Sequence, residues 1–258
     1  MIYEILLPLP IQKTFYYEQS NLFSESKKLS SGTLVEVEFK KKLIIGMILN
    51  SVKSHSLNKP IKKIHKIFNT ISFNKEIINS INFISQYSCN KSSMILKLFL
   101  SSFSAKKYDN DFKDLKLEIS NKPLKLNLNQ IDVINQIKKI NFNKFNVILL
   151  EGVTGSGKTR VYMQKAKEII EKGYQCLILV PEIILTTQWV EDIRDDFGID
   201  PSVYHSSVKK KEREKIWVQS NLNQVKLVIG TRSALFLPFS NLGLIVVDEE
   251  HDSSYKQE

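Results

Sequence analysis

Residues 152–159 read Gly-Val-Thr-Gly-Ser-Gly-Lys-Thr, an instance of the pattern GxxxxGK[ST]. Such a stretch constrains its surroundings, because the pattern is meaningful only between a buried strand and a helix. The apolar run Asn146–Glu151 (NVILLE) predicts the strand, and Lys158–Lys172, closed by Gly173, predicts the helix. Gly152, Gly155 and Gly157 allow the backbone to curl, with Val153, Thr154 and Ser156 completing a ring of N–H groups that faces an anion. The helix N-terminus adds partial positive charge. Lys158 reaches the outer phosphates, and Thr159 is the candidate Mg²⁺ ligand. A nucleotide with Mg²⁺ is therefore the implied ligand.

A second cluster supplies what this loop lacks. Residues 244–251 read Leu-Ile-Val-Val-Asp-Glu-Glu-His, an apolar strand that delivers carboxylates at its C-terminal end, where α/β sheets place ligands. Asp248 is the candidate partner of Mg²⁺ and Glu249 the candidate acceptor of a proton from attacking water. Lys158, Asp248 and Glu249 form the candidate catalytic set. His251 is placed to sense the phosphate or couple to DNA-contacting residues.

Around these motifs the pattern alternates strand and helix. Helices are predicted at Asn129–Ile140, Thr186–Phe197 and Lys209–Ser220, and strands at Gln175–Val180, Ser202–His205, Lys226–Thr231 and Leu242–Asp248. That order means an α/β fold with a parallel sheet. The earlier part differs. Ile2–Leu7, Thr33–Phe39 and Leu43–Leu49 read as strands, with Lys40–Lys42 as a hairpin tip, and residues 75–101 take helical spacing. A small β-rich domain with helices over 1–103, a polar linker over 104–125 and an incomplete nucleotide-binding lobe over 126–258 are the expected divisions.

Charge separates the same halves. The net charge of +10 falls entirely within residues 1–125, which hold 20 Lys, no Arg and 10 acidic residues. A basic first half joined to a neutral second half points to polyanion binding by the first. Lys also greatly outnumbers Arg, as AT-rich coding would produce, but such a bias alone would raise Lys throughout. No long apolar run suggests a membrane span, and the start MIYEILLPLP, with Glu4 and no basic residue, does not read as a signal peptide. Cys89 and Cys176 are the only cysteines and form no CxxC, so a zinc site is unsupported and a cytoplasmic location is expected.

Several stretches carry a resemblance. Residues 150–164 (LEGVTGSGKTRVYMQ), 178–183 (ILVPEI), 204–217 (YHSSVKKKEREKIW), 229–239 (IGTRSALFLPF) and 241–257 (NLGLIVVDEEHDSSYKQ) resemble the PriA family, with a DEAH-like box in the form DEEH. These are primosomal replication-restart DNA helicases of superfamily 2. The start PLPIQKTFYY is similar to that family's domain for DNA 3′ ends. The resemblance implies an ATP-hydrolysing 3′→5′ DNA helicase that recognises stalled or branched forks and restarts replication, built on a RecA-like first lobe. It implies DNA forks, single strands and 3′ ends as partners, with other primosome proteins and single-strand-binding proteins, and no membrane.

Residue by residue, the resemblance implies adenine contact for Gln130. It places Pro181, Glu182, Thr186, Gly230, Thr231, Arg232 and Ser233 along a DNA track. Phe15, Gly32 and Lys62 match a pocket for a terminal 3′-hydroxyl nucleotide, where Tyr16 replaces the family's usual aspartate. The winged-helix domain, zinc module, remaining first-lobe motif and second lobe of the family have no counterpart in these 258 residues. Nucleotide and DNA binding without unwinding is therefore expected of this chain alone. A non-enzymatic module holding 3′ ends or forks, with a vestigial ATPase lobe, is the competing reading. An RNA helicase or restriction-enzyme translocase is a third, opposed by the GTRSALF and SYKQ text.

Overall fold

The computed structural model describes residues 1–11, 13–19, 28–52, 60–105, 126–140, 144–153 and 155–256. Thr154 and nearly all of the predicted linker 104–125 lie outside the described residues. Contacts divide the chain into two compact units. One is Met1–Lys113 with Lys209–Gln224 and Phe236–Ser240; the other is Asp114–Val208 with Val225–Leu235 and Asn241–Glu258.

The first unit is built on a five-stranded antiparallel sheet of order β2-β1-β4-β3-β5. Its strands are β1 Ile2–Leu6, β2 Phe15–Glu18, β3 Thr33–Phe39, β4 Lys42–Val52 and β5 Ile64–Ser72. The alternation in TLVEVEF works as read: Val35 and Val37 are buried against Tyr3, Ile5 and Ile48. The β3–β4 turn is made by Lys40 and Lys41 at φ 47° and 64°. Consecutive left-handed residues match the strand twist of a tight hairpin, and side-chain-bearing residues there are strained. Glu18 N–H donates to the Lys62 carbonyl at 2.9 Å, so the β2 edge curls towards the segment that enters β5.

Strands β2 and β5 have no clear period in sequence. In β5 the adjacent Ile67 and Phe68 are both buried, because register shifts against β3 interrupt the alternation. Helices α1 Lys75–Tyr87 and α2 Ser92–Phe99 follow. Asn74 caps α1 by accepting from Ile77 N–H at 2.9 Å.

Helix α6, Lys210–Asn221, completes this unit although it lies far along the chain. Trp217 is buried, stacked on Phe103 at 4.6 Å between ring centres, and near Phe73. Asn221 behaves like an added strand residue: its amide donates to Ser72 O at 2.8 Å and accepts from Ser72 N–H at 3.4 Å. Asn74 donates to the carbonyls of Phe239 and Ser240.

The second unit carries a parallel sheet of order β7-β8-β6-β9. Its strands are β6 Gln175–Leu179, β7 Ser202–Tyr204, β8 Leu227–Gly230 and β9 Leu242–Val247. Helices α3 Leu128–Lys138, α4 Lys158–Glu171 and α5 Thr187–Phe197 accompany it. Met163, Ala166 and Ile170 of α4 pack with Cys176 and Ile178 of β6, Ile193 and Phe197 of α5, and Leu227 and Ile229 of β8. Each unit matches the α/β class the sequence implies: a β-rich part with helices, then a parallel sheet with helices.

One predicted element is absent. Asn146–Glu151 forms no strand, and Val147 and Leu149 are 83% and 78% exposed. Strand β9 pairs with β6 alone among the described strands, and its Ile245 and Val247 remain exposed. An apolar run becomes a parallel strand only when ladders and covering layers receive it; composition supplies neither. Among the described residues, no helix is long and apolar enough to cross a membrane.

Candidate nucleotide and DNA sites

The site in the second unit forms where parallel strands end. Asp248 follows β9 directly, and its N–H donates to Leu179 O at the end of β6 at 2.9 Å. Glu249 comes next at φ 48°, its N–H donating to Asp248 Oδ1 at 3.1 Å. In an extended strand adjacent carboxylates would lie on opposite faces of the sheet; the left-handed turn at Glu249 breaks that alternation.

The glycine loop meets them through the start of α4. Gly155 and Gly157 take φ 79° and 81°. A Cβ at Gly152 would meet Ser156 Oγ at 2.8 Å, a contact that rotation of the serine hydroxyl relieves. Ser156 N–H donates back to Val153 O at 3.1 Å. Lys158 Nζ donates to Gly152 O at 2.8 Å and lies 3.9 Å from Glu249 Oε1. Thr159 connects to Asp248 through Tyr162, whose oxygen is 3.4 Å from Thr159 Oγ1 and 2.9 Å from Asp248 Oδ2. Lys158, Thr159, Asp248 and Glu249, distant in sequence, therefore share one locality.

Gln130 also reaches this loop. Asn127 and Gln130 form a reciprocal capping box on α3, and Gln130 Nε2 donates to Ser156 O at 3.2 Å. Its side chain is buried, not an exposed helix-start residue. His251 is mostly exposed, with Nε2 3.6 Å from Glu249 Oε2.

Two tyrosines outside both motifs touch Asp248. Tyr255 donates to the Asp248 main-chain carbonyl at 2.9 Å. Burial, then the Asp248 charge, pushes the hydroxyls of both Tyr162 and Tyr255 well above the ordinary tyrosine range. The available signal was spacing: Tyr162 lies three residues after Thr159 on a helix and so shares its face. The donor set fits Mg²⁺, since a hydroxyl and a carboxylate are the hard oxygens that ion takes.

The other candidates are placed as follows. Thr186 caps α5, accepting from Trp189 N–H at 3.2 Å. Thr231 is buried, its N–H donating to Tyr204 O, and Arg232 donates to Lys256 O at 3.2 Å. Pro181 and Glu182 begin the turn after β6, where their carbonyls accept from Ile184 and Leu185 N–H.

In the first unit, Phe15 meets Phe39 edge to face at 4.9 Å, and Lys62 Nζ donates to Glu38 at 2.7 Å. That hydrogen bond and the Lys62 charge hold the Glu38 carboxyl below its usual range. Tyr16 pairs across from Glu4 in the β1–β2 ladder. Gly32, at φ 88°, precedes the opposite end of β3, about 20 Å of strand from Phe39. A Cβ there would strike the Phe73 carbonyl. Phe15 and Lys62 thus share one end of β3, while Gly32 serves a close approach of the chain's own backbone at the other.

Comparison with known proteins adds the decisive observation. The DEAD/DEAH box helicase family profile matches residues 127–258, a little over half of the chain. The chain belongs to the DEAD/DEAH box helicase family. The profile of the 3'DNA-binding domain (3'BD) matches residues 4–101. Replication restart protein PriA of Rickettsia prowazekii (strain Madrid E) is 36% identical over 261 residues, covering 97% of this chain and 38% of that protein. The Haemophilus influenzae PriA is 47% identical over 140 residues, 54% of this chain and 19% of the relative. The Bacillus subtilis PriA is 40% identical over 167 residues, 64% and 21% respectively. The chain therefore spans well under half the length of these relatives. A DEAD/DEAH box helicase uses a nucleotide.

Proposed function

We propose that this helicase chain serves ATP-dependent 3′→5′ DNA unwinding in replication restart, at stalled or branched forks in the cytoplasm. The observation that carries the nucleotide part is the convergence of four groups: Lys158 Nζ lies 3.9 Å from Glu249, and Tyr162 links Thr159 to Asp248. In this reading the loop amides and Lys158 bind the triphosphate, and Lys158 exchanges Gly152 O for phosphate oxygen. Thr159 and Asp248 hold Mg²⁺, which neutralises developing charge on the phosphates when bound. Glu249 accepts the proton of the attacking water. Gln130 contacts adenine, and His251 couples the site to DNA.

Residues 1–103 act as the DNA 3′-end domain and 126–258 as the motor lobe. Phe15 stacks on a base and Lys62 meets phosphate, with Tyr16 next to Phe15 on β2. Thr186, Thr231 and Arg232 contact the DNA backbone without reading sequence. Other primosome proteins and single-strand-binding proteins are the protein partners. We infer that residues 1–258 by themselves bind ATP and DNA without unwinding.

Fluorescent-ATP binding with unmodified chain and Lys158→Ala tests this. Binding lost in the variant supports the reading; equal binding by both refutes it. The basic first half favours a second reading, a DNA-holding module with an idle lobe. Salt-dependent binding to 3′-hydroxyl DNA, with no nucleotide binding, would select it.

A further inference from the structure

Asp248 is held from two directions by groups that neither the glycine loop nor the acidic box contains. We propose that Tyr162 is a positioning residue, whose hydroxyl orients the Asp248 carboxylate and Thr159 for Mg²⁺. The inference rests on the nucleotide reading above and extends it to a residue that contacts neither phosphate nor metal.

The geometry is specific. Tyr162 lies one turn beyond Thr159 on α4, and its ring is buried in the core among α4, α5 and the sheet. Burial fixes where the hydroxyl points. A phenol has one proton, and the Asp248 carboxylate, at 2.9 Å and charged, is the stronger acceptor. The phenol oxygen then accepts from Thr159 O–H, 3.4 Å away. Thr159 thereby turns an oxygen lone pair outward, and Asp248 Oδ1 remains for the Glu249 N–H and for metal-bound water. Groups that orient metal ligands typically change metal affinity by about 10–100-fold when removed.

Tyr255 provides the internal contrast. Its hydroxyl is equally close, 2.9 Å, but reaches the Asp248 carbonyl, not the carboxylate. It holds the turn and leaves the ligating atoms free.

The test measures binding of a fluorescent ATP analogue to the chain in excess EDTA and in saturating Mg²⁺, and takes the ratio of the two dissociation constants. Tyr162→Phe keeps the packed ring and removes only the hydroxyl. The expected result is a ratio reduced about tenfold, with affinity in EDTA within about twofold of the unmodified chain. Asp248→Asn should lower the ratio, and Tyr162→Phe should add nothing on that background. Tyr255→Phe should leave the ratio within about twofold, and circular dichroism melts should show both tyrosine variants folded. An unchanged ratio in Tyr162→Phe overturns the proposal and leaves the nucleotide reading intact, as does equal weakening with and without Mg²⁺. No binding by the unmodified chain under either condition overturns the nucleotide reading, and this proposal with it.

Discussion

Trp217 donates its indole N–H to the main-chain carbonyl of Phe99 at 2.6 Å, across 118 residues of sequence. The bond joins α6, which lies between two strands of the parallel sheet in sequence, to the C-terminal turn of α2. Phe103 stacks on the same indole and Phe73 packs beside it. Trp217 is therefore a keystone of the first unit. Trp217→Ala should destabilise that unit by about 3–5 kcal/mol, with Trp217→Phe costing less because most of the buried ring is retained. Urea unfolding followed by far-ultraviolet circular dichroism measures both.

Lys158 Nζ is already satisfied by Gly152 O and lies near Glu249. Glu249→Gln should therefore leave ATP affinity within a few-fold while lowering phosphate release. Lys158→Ala should weaken binding of the nucleotide itself by at least about tenfold, through loss of a charge-assisted bond to phosphate. Fluorescence titration and phosphate release separate the two outcomes.

Thr186 has a structural duty that competes with its proposed DNA contact. Its hydroxyl caps α5, so Thr186→Ala should cost about 1 kcal/mol of stability, whereas Thr186→Ser should cost far less. If the hydroxyl contacts DNA, serine will also preserve affinity. Thermal melts and filter binding report the two effects independently.

Lys62 is shared between Glu38 and any phosphate that approaches it. Glu38→Gln should tighten DNA binding by freeing the ammonium, and Lys62→Ala should reduce the salt-dependence slope by about one. The pair's pH behaviour follows from the lowered Glu38 carboxyl. Its contribution is present above the unfolded carboxylate range and is lost as pH falls through the lower folded value. Carbon-13 titration should show the Glu38 carboxyl moving back up in Lys62→Ala.

The two thiols should behave differently. Cys89 is exposed, whereas burial pushes Cys176 up to about 12. A disulfide reagent at pH 8 should modify one thiol in the native chain and the second only on unfolding. Because the folded value is raised, the neutral Cys176 thiol stabilises the fold fully below about pH 9, and this is lost as pH rises towards about 12. Cys176→Ser should give a native chain with one reactive thiol.

Local patterns made much of this legible. Val35 and Val37 alternate with Glu36 and Glu38, and the strand follows. Thr186 and Gly198 bracket α5, with Gly198 in the left-handed conformation that ends it. Residues 152–159 place a lysine and a threonine at the head of a helix, and 244–249 place carboxylates after a strand. Where several chain segments had to cooperate, the patterns were silent or misleading. Strand β5 hides its period behind register shifts, and only the fold brings the Phe73 carbonyl against Gly32.

The amino-acid order alone determined the phosphate-loop chemistry, the parallel-sheet class of the second half and the basic character of the first. These depend on residue type and short-range spacing, which backbone sterics convert directly into helix, turn or strand. Tertiary structure decided the rest. It left Asn146–Glu151 without a ladder, carried α6 into the first unit, and put Tyr162 against Asp248. Hydrogen-bond partners and shared burial are properties of positions in space, and a carboxylate 86 residues away meets its phenol only once β6 and β9 have paired beneath α4.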